Sequence, residues 1–357
     1  MTDPTLSESL ACPDVVAGQG PAEQLSAAQP PDIPVEENSA KSSDGAAIAA
    51  EVQPFGSALE PVLRQACGDR LSAINWFRTD WQRGGAATGY ATWRDDDGIE
   101  QPVVVKLPVQ PRERLWLHRL QNCPEQVVPR LYAHGDVLNG YDIAWVIMQR
   151  LPHGPLGSAW GGAAFDLVVE AVGRFYKAVS AYPVDQPPVR RDWEKILDLA
   201  REKVRRNAVT QGQRWSKALK KAQQKLPQWL TIWRDRPVDQ WCHGDLHLGN
   251  AMSLQPPPNG PAILLDLAEV HAGYWVEDAV YFEHLYWARR DLLDGRKICK
   301  AIAAERRRHG LDGDNNWSRF AEVRRALLAM STPAILTTAG DPLHVQAALE
   351  VLEMHVG

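Results

Sequence analysis

The fold of this chain is decided by the stretch WCHGDLHLGN at Trp241–Asn250, which a short loop connects to AILLD at 262–266. Within it stand an acid at Asp245, an amide at Asn250 and a second acid at Asp266. The connecting sequence QPPPNGP has the prolines and the Asn-Gly pair that are typical of a turn. We therefore predict a hairpin that returns Asp266 to a position beside Asn250.

These three side chains have the chemistry that a phosphoryl-transfer site requires. A carboxylate can orient a hydroxyl group and accept its proton, while an amide oxygen and a second carboxylate are ligands that suit Mg²⁺. Transfer of a γ-phosphoryl group depends mainly on positioning and on charge neutralisation. The sequence therefore predicts a site that uses ATP and Mg²⁺ as cofactors.

The pattern H-G-D-x-x-x-x-N, followed by an apolar run that ends in Asp, resembles the aminoglycoside phosphotransferase and choline kinase family. These are small-molecule kinases with a protein-kinase-like fold. The resemblance implies that His243 braces the loop, that Asp245 is the catalytic base and that Asn250 and Asp266 bind the metal. The triplet that begins at Asp266 reads DLA, whereas protein kinases have DFG.

A phosphate-binding region is predicted upstream, where strand-like segments surround a glycine-rich sequence. Gly84, Gly85 and Gly89 give the pattern G-G-x-x-x-G, which lets backbone amides approach phosphate but also fits an ordinary hairpin turn. Lys106 ends a strand of three valines, where a lysine is costly to bury unless it meets an anion. In the resembled family this lysine contacts the phosphates and pairs with a helix glutamate. Helical spacing favours Glu113 for that role, with a surface acid paired to a neighbouring arginine as the alternative.

The segment VIMQRLPHGPL at 146–156 resembles the passage from strand to hinge in these kinases. The resemblance implies that backbone groups of Gln149 and Leu151 face the adenine ring. Strand patterns are predicted at Val127–Leu131 and Ala144–Met148. Beyond the hinge the apolar periodicity becomes helical.

Together these features predict an α+β chain with a two-lobed, protein-kinase-like fold, a small β-rich N-lobe and a mostly helical C-lobe. We predict a disordered acidic tail over 1–52, a nucleotide-binding N-lobe over 53–150, and a C-lobe with the catalytic loop and acceptor site over 151–357. Residues 1–60 contain ten acidic residues and one basic residue, without a sustained apolar period. A docking or autoinhibitory segment is the alternative interpretation of the tail.

Composition limits the class of protein further. A chain of 357 residues with 45% hydrophobic residues can bury a large core. Its five cysteines form no C-x-x-C pair, which favours a reducing cytoplasm over a disulfide framework or a zinc site. No apolar run is long enough to span a membrane, and no nucleic-acid-binding module is evident. We expect a cytoplasmic protein of open oligomeric state.

The predicted activity is transfer of the ATP γ-phosphate to a hydroxyl group of a small molecule. Residues 201–225 contain nine basic residues and one acid, which speaks against a polycationic aminoglycoside if this stretch borders the cleft. A solvated helix face is the simpler interpretation of that stretch. Two alternatives to the activity stay open: a catalytically silent, nucleotide-binding regulatory module, and a protein-serine kinase, which the missing D-F-G and A-P-E pair makes weaker.

Overall fold

The chain has a small sheet-rich N-terminal part and a larger helical C-terminal part, which confirms the predicted α+β class. The structure is a computed structural model that describes residues 43–77, 86–158, 162–206, 208–311, 315–336 and 340–357. Within these residues, no helix is long and apolar enough to cross a membrane.

The N-terminal part consists of one helix, a five-stranded antiparallel sheet and a second helix that packs beside it. Its elements are α1 (Ser43–Ala66), β1 (Asn75–Phe77), β2 (Ala87–Arg94), β3 (Glu100–Leu107), α2 (Pro111–Arg119), β4 (Leu131–Gly135) and β5 (Trp145–Gln149). The strand order is β1-β2-β3-β5-β4. Alternation along β3 buries Val103, Val105 and Leu107 on one face, so Lys106 points to the opposite face.

The C-terminal part is mainly helical and carries two short β-ribbons. Its elements are α3 (Gly162–Val179), α4 (Trp193–Arg205), α5 (Gly212–Arg234), β6 (Gln240–Cys242), β7 (Ala251–Ser253), β8 (Ala262–Leu264), β9 (His271–Gly273), α6 (Val276–His284), α7 (Ile298–Arg308), α8 (Trp317–Ile335) and α9 (Pro342–Val356). β6 pairs with β9, and β7 pairs with β8, both antiparallel. The β7–β8 ribbon is the hairpin that the turn sequence predicted.

One hydrophobic core joins the two parts and fixes the position of α2. Phe165, Val168, Val172 and Phe175 form a fully buried stripe at helical spacing along α3. The same core includes Trp116 of α2. Its ring packs against the ring of Trp241 in β6, with 4.9 Å between the two ring centroids. α2 is therefore anchored to both parts of the chain.

One strand boundary differs from the sequence predictions. The strand predicted at Val127–Leu131 is wrong: β4 begins only at Leu131, and Val127 and Val128 are buried in a loop. Pro129 has no N–H to donate to a strand ladder, which explains why regular pairing starts after it. α1 begins at Ser43. Residues 1–42 of the predicted tail lie outside the described residues, and the limit of that tail at 52 stays a prediction. The limits 53–150 and 151–357 of the lobes stay predictions.

Candidate active site

The catalytic-loop sequence is held in place by Asp278 of α6. The backbone N–H groups of His243 and Gly244 donate to its two carboxylate oxygens at 2.7 and 2.8 Å. The buried Tyr176 hydroxyl donates to the same carboxylate at 2.9 Å. Gly244 has a φ of +87°, and a Cβ there would lie 2.1 Å from the carbonyl oxygen of Glu269. This position therefore requires glycine.

His243 connects the loop to the hairpin and is fully buried. Its Nε2 donates to the carbonyl oxygen of Leu265 at 3.0 Å, and its Nδ1 accepts from the backbone N–H of Asp245 at 3.3 Å. A ring that donates at one nitrogen and accepts at the other is neutral. Burial agrees with this, because it lowers the pKa of His243. The side chain therefore braces the loop and is not poised to exchange protons.

Asp245 and Asn250 contact each other directly. The Asn250 amide nitrogen donates to the Asp245 carbonyl oxygen at 3.0 Å and to Oδ2 at 2.9 Å. Tyr281 donates its hydroxyl to Asp245 Oδ1 at 2.7 Å, and His247 Nε2 lies 3.5 Å from Oδ2. Burial acts to raise the pKa of Asp245, but hydrogen bonds from His247 and Tyr281 outweigh it and lower the pKa. Asp245 is thus ionised at neutral pH, and the Asn250 amide oxygen is left to face other ligands.

Asp266 lies two residues beyond the end of β8, beside the loop. The backbone N–H of Leu265 donates to the Asn250 carbonyl oxygen at 2.8 Å, which fixes the distance between the two predicted metal ligands. Asp266 itself has a φ of +56°, in the left-handed region. Non-glycine residues in that region often mark functional sites. Its carboxylate is 44% exposed and lies 3.7 Å from Lys106 Nζ.

Lys106 and Glu113 form an ion pair between β3 and α2. Lys106 Nζ donates to the two Glu113 carboxylate oxygens at 2.7 and 2.9 Å. Glu113 is almost completely buried, whereas the lysine side chain keeps 19% of its surface accessible. Burial acts to lower the pKa of Lys106, but attraction by Glu113 and then Asp266 raises it. The ammonium group of Lys106 is therefore held charged by two acids, Glu113 of α2 and Asp266 after β8.

The structure describes only part of the glycine-rich sequence. Gly84 and Gly85 lie outside the described residues. Gly89 lies within β2 opposite Val105. A Cβ on Gly89 would meet the side chain of Ile74 at 2.3 Å, so packing within the sheet already favours glycine there. A contact between these three glycines and phosphate stays a prediction.

The two predicted hinge residues differ in whether their backbone N–H group is free to bind a ligand. The backbone N–H of Gln149 donates to the Arg130 carbonyl oxygen at 2.8 Å, and its side-chain oxygen accepts from Gln126 at 2.6 Å. The amide of Leu151 has no hydrogen-bond partner in the described part of the chain. Leu151, and not Gln149, therefore has an N–H group that can donate to a bound base.

Sequence reasoning missed Tyr281, which contacts the predicted base. It lies on α6 three residues after Asp278, so one short helix both braces the loop and contacts the carboxylate that the loop carries. Helical spacing from Asp278 could have identified it, because residues three apart share a helix face.

The fold is kinase-like, and the predicted catalytic and metal-binding residues lie close together in it. Residues 83–322 match the profile of the phosphotransferase enzyme family (APH), and the chain belongs to this family. Among solved structures, a microcompartment-associated aminopropanol kinase is 14% identical with a TM-score of 0.52, covering 83% of this chain and 95% of its own. An aminoglycoside phosphotransferase from Alicyclobacillus acidocaldarius is 14% identical with a TM-score of 0.51, covering 82% of this chain and 91% of its own. Comparison with curated proteins gave no significant match.

Proposed function

We propose that the protein is an ATP- and Mg²⁺-dependent phosphotransferase that phosphorylates an alcohol group of a small molecule. The observation that carries this proposal is the convergence of four polar side chains from separate segments. Asn250 contacts Asp245 at 2.9 Å, the hairpin hydrogen bond joins Asn250 to the residue before Asp266, and Asp266 lies 3.7 Å from Lys106. A base, two oxygen ligands and a cation are the components that phosphoryl transfer requires.

The nucleotide end of the site would be formed by Lys106, Leu151 and the two oxygen ligands. Lys106 would bind the phosphates, with Glu113 holding its ammonium group in position. Leu151 would donate its free N–H to the adenine, and Gln149 would offer only its carbonyl oxygen. Gly84, Gly85 and Gly89 would lie along the phosphates.

The fit to magnesium is supported by the donor set. The described residues contain no group of three or more His, Cys, Asp or Glu side chains placed to share a metal ion. Asn250 and Asp266 offer two hard oxygen ligands, and a cation bound through few protein groups together with substrate phosphates is typical of Mg²⁺. When bound, Mg²⁺ supplies charge neutralisation at the phosphates.

The acceptor end of the site would depend on Asp245. Its Oδ1 has one hydrogen-bond donor among the described residues, Tyr281, and so keeps a lone pair for the acceptor hydroxyl. The O–H bond of the acceptor breaks and its proton moves to Asp245. The acceptor oxygen forms a bond to the γ-phosphorus, the bond to the β-phosphate oxygen breaks, and ADP leaves with that electron pair. His243 would keep the loop in place throughout.

A cytoplasmic location is part of this proposal. Cys67, Cys123, Cys242 and Cys299 are free thiols, as expected of a protein in a reducing compartment.

The proposal is tested by Mg²⁺-dependent ADP release across a panel of hydroxylated metabolites and antibiotics. Asp245→Asn should abolish acceptor-dependent release and retain ATP binding measured by calorimetry. Asp291→Asn serves as a control, because this aspartate is exposed and pairs only with Arg289 among the described residues. Turnover retained in Asp245→Asn would remove this residue as the base, and ATP binding without turnover in the wild type would favour a regulatory module.

A further inference from the structure

Arg324 of α8 is a buried arginine that forms no ion pair within 4 Å among the described residues. The residue is 5% exposed, and its buried Nε has no hydrogen-bond partner. The guanidinium group lies over the rings of Trp193 and Trp233, 5.6 Å from each centroid. A buried cation without an acceptor is energetically costly, so a bound anion would compensate for its burial.

Two more arginines lie near Arg324. Arg236, just beyond α5, stacks over the Trp233 ring at 4.5 Å and donates to Glu277 at 3.1 Å. Arg191 lies just before α4 and is exposed, and its carbonyl oxygen accepts from the backbone N–H of Trp193, the residue whose ring Arg324 covers, at 3.1 Å. Burial lowers the pKa of Arg324 to about 10, and repulsion by Arg191 contributes to that shift. We call Arg191, Arg236 and Arg324 the arginine cluster.

The arginine cluster has more positive than negative charge. Glu277 is the carboxylate that acts on Arg324, and it is already paired with Arg236 and lies 3.8 Å from His271. Glu277 also attracts Arg324, so one carboxylate offsets the charge of the three guanidinium groups only in part. An arginine side chain can bind a carboxylate or a phosphate with two parallel hydrogen bonds.

α6 connects the arginine cluster to the predicted base. Glu277, Tyr281 and His284 stand at i, i+4 and i+7, so they share one face of this helix. Glu277 pairs with the cluster and Tyr281 donates to Asp245 at 2.7 Å. Four residues span about 6 Å of helix, which is the length of a small metabolite. The arginine cluster and the contact with Asp245 therefore lie along one face of α6.

The charges near Tyr281 agree with this arrangement. Burial raises the pKa of Tyr281, Asp245 raises it further, Arg191 lowers it and Glu269 raises it slightly. Glu269 and Asp245 are acids that act on the Tyr281 hydroxyl group, and Arg191 is the positive charge that acts on it. A polycationic acceptor would meet repulsion at the arginine cluster.

We propose that the phosphoryl acceptor is an anionic alcohol, whose carboxylate or phosphate group binds Arg324 and Arg191 while its hydroxyl group lies at Asp245. This inference rests on the proposed function and adds the charge class of the substrate. The anionic group takes no part in bond making: the hydroxyl proton moves to Asp245, the P–O bond forms at that hydroxyl, and ADP leaves as above.

The test uses acceptors in matched sets: hydroxy acids, their neutral amides, the corresponding amino alcohols, and monophosphorylated polyols with their parent polyols. Mg²⁺-dependent ADP release is measured on the wild type, Arg324→Met, Arg324→Lys and Arg319→Met, the last an exposed arginine of the same helix. We expect turnover of an anionic set, with KM raised roughly 10- to 100-fold in Arg324→Met at a nearly unchanged kcat. The KM of Arg324→Lys should lie between the values for the wild type and Arg324→Met. The KM of Arg319→Met should equal that of the wild type.

A binding measurement without nucleotide makes the test independent of turnover. Inorganic phosphate and acetate are titrated by calorimetry into the wild type, Arg324→Met and Lys106→Met. Binding that is lost in Arg324→Met and kept in Lys106→Met supports the inference, and the ion preferred distinguishes phosphate from carboxylate. Binding absent, or unchanged in Arg324→Met, overturns it.

The outcomes separate the two proposals. Asp245-dependent turnover of neutral or cationic acceptors in preference to anionic ones would keep the proposed function and overturn the anionic acceptor. Anion binding at Arg324 without turnover of any set would support the anion site and count against the phosphotransferase activity. Arg324→Met should keep its melting temperature within a few degrees, and if it does not fold, Arg324→Lys carries the comparison.

Discussion

The hydroxyl group of Tyr281 donates to Asp245 Oδ1 at 2.7 Å. This contact joins a residue of α6 to a residue of the catalytic loop, and it occupies one lone pair of the carboxylate that we propose as the base. Because a donated hydrogen bond favours the ionised carboxylate, it helps to hold the pKa of Asp245 below its ordinary value. Tyr281 therefore both orients the carboxylate and tunes its basicity.

Tyr281→Phe should reduce kcat roughly 3- to 10-fold, because one charge-assisted hydrogen bond to Asp245 is lost. The pKa of Asp245 should rise towards its ordinary value, because one donor to the ionised carboxylate is lost. The measurement is kcat against pH, with Tyr141→Phe as a control on an exposed tyrosine. A kcat equal to that of the wild type across the measured pH range would show that the hydrogen bond does not act on the base.

Gly244→Ala should destabilise the protein strongly, because the new Cβ would lie 2.1 Å from the Glu269 carbonyl oxygen. Gly98 is the matched control: it also has a positive φ, of +79°, but nothing lies within 4 Å of a Cβ there. Gly98→Ala should lower the free energy of unfolding by about 1 kcal/mol from backbone strain alone. Gly244→Ala should lower it by roughly 3 kcal/mol or more, since packing adds to that strain. Urea unfolding measures both, and equal losses would contradict the steric explanation.

Lys106→Met should lower the free energy of unfolding by about 2–4 kcal/mol at pH 8, because it leaves the buried Glu113 carboxylate without its cation. It should also abolish detectable ATP binding. The loss of stability should become smaller as the pH falls, since protonation removes the uncompensated charge of Glu113. Urea unfolding at pH 8 and pH 5 and calorimetry with ATP are the measurements.

Two further variants separate the effect of burial from the effect of charge in the Lys106→Met experiment. Lys106→Met combined with Glu113→Leu should recover most of the stability without recovering ATP binding, because no buried charge is left unpaired. Arg94→Met breaks the exposed pair with Glu100 and should change the free energy of unfolding by less than about 1 kcal/mol. A loss in Arg94→Met as large as in Lys106→Met would contradict the role given to burial.

Much of the site could be predicted from the sequence because its parts follow local rules. The spacing from His243 to Asn250 and the turn sequence QPPPNGP lie within one short stretch, so the hairpin followed from local patterns. The pairing of Lys106 with a helix glutamate followed from the family resemblance, and helical spacing in α2 selected Glu113 for that role. Short-range periodicity determines which face a side chain takes, and that is what these inferences used.

The parts that escaped prediction depend on contacts between distant segments. Arg324 contacts tryptophans of α4 and α5, and no local pattern predicts which helices will surround it. The β4 boundary shifted because burial of Val127 in a loop has the same apolar pattern as burial in a strand. The backbone N–H of Gln149 donates to the carbonyl oxygen of Arg130. Side-chain patterns in the sequence do not reveal such a hydrogen bond between backbone groups.

His284 should make the stability of the protein depend on pH. Burial, then repulsion by His344, lowers the pKa of His284 to about 3, and its Nδ1 donates to the Tyr281 carbonyl oxygen. Because the folded state favours the neutral ring, its stabilising effect is complete above the unfolded pKa near 6.5 and is lost as the pH falls towards 3. At pH 5 the protonation equilibrium of His284 should lower the free energy of unfolding by about 2 kcal/mol relative to pH 8. His284→Asn keeps a donor for the carbonyl oxygen and cannot titrate, so urea unfolding between pH 8 and pH 5 should show a smaller decrease by that amount. His243 and the other buried histidines titrate in both proteins, and the difference therefore isolates His284; equal decreases would mean that its ring is protonated without cost.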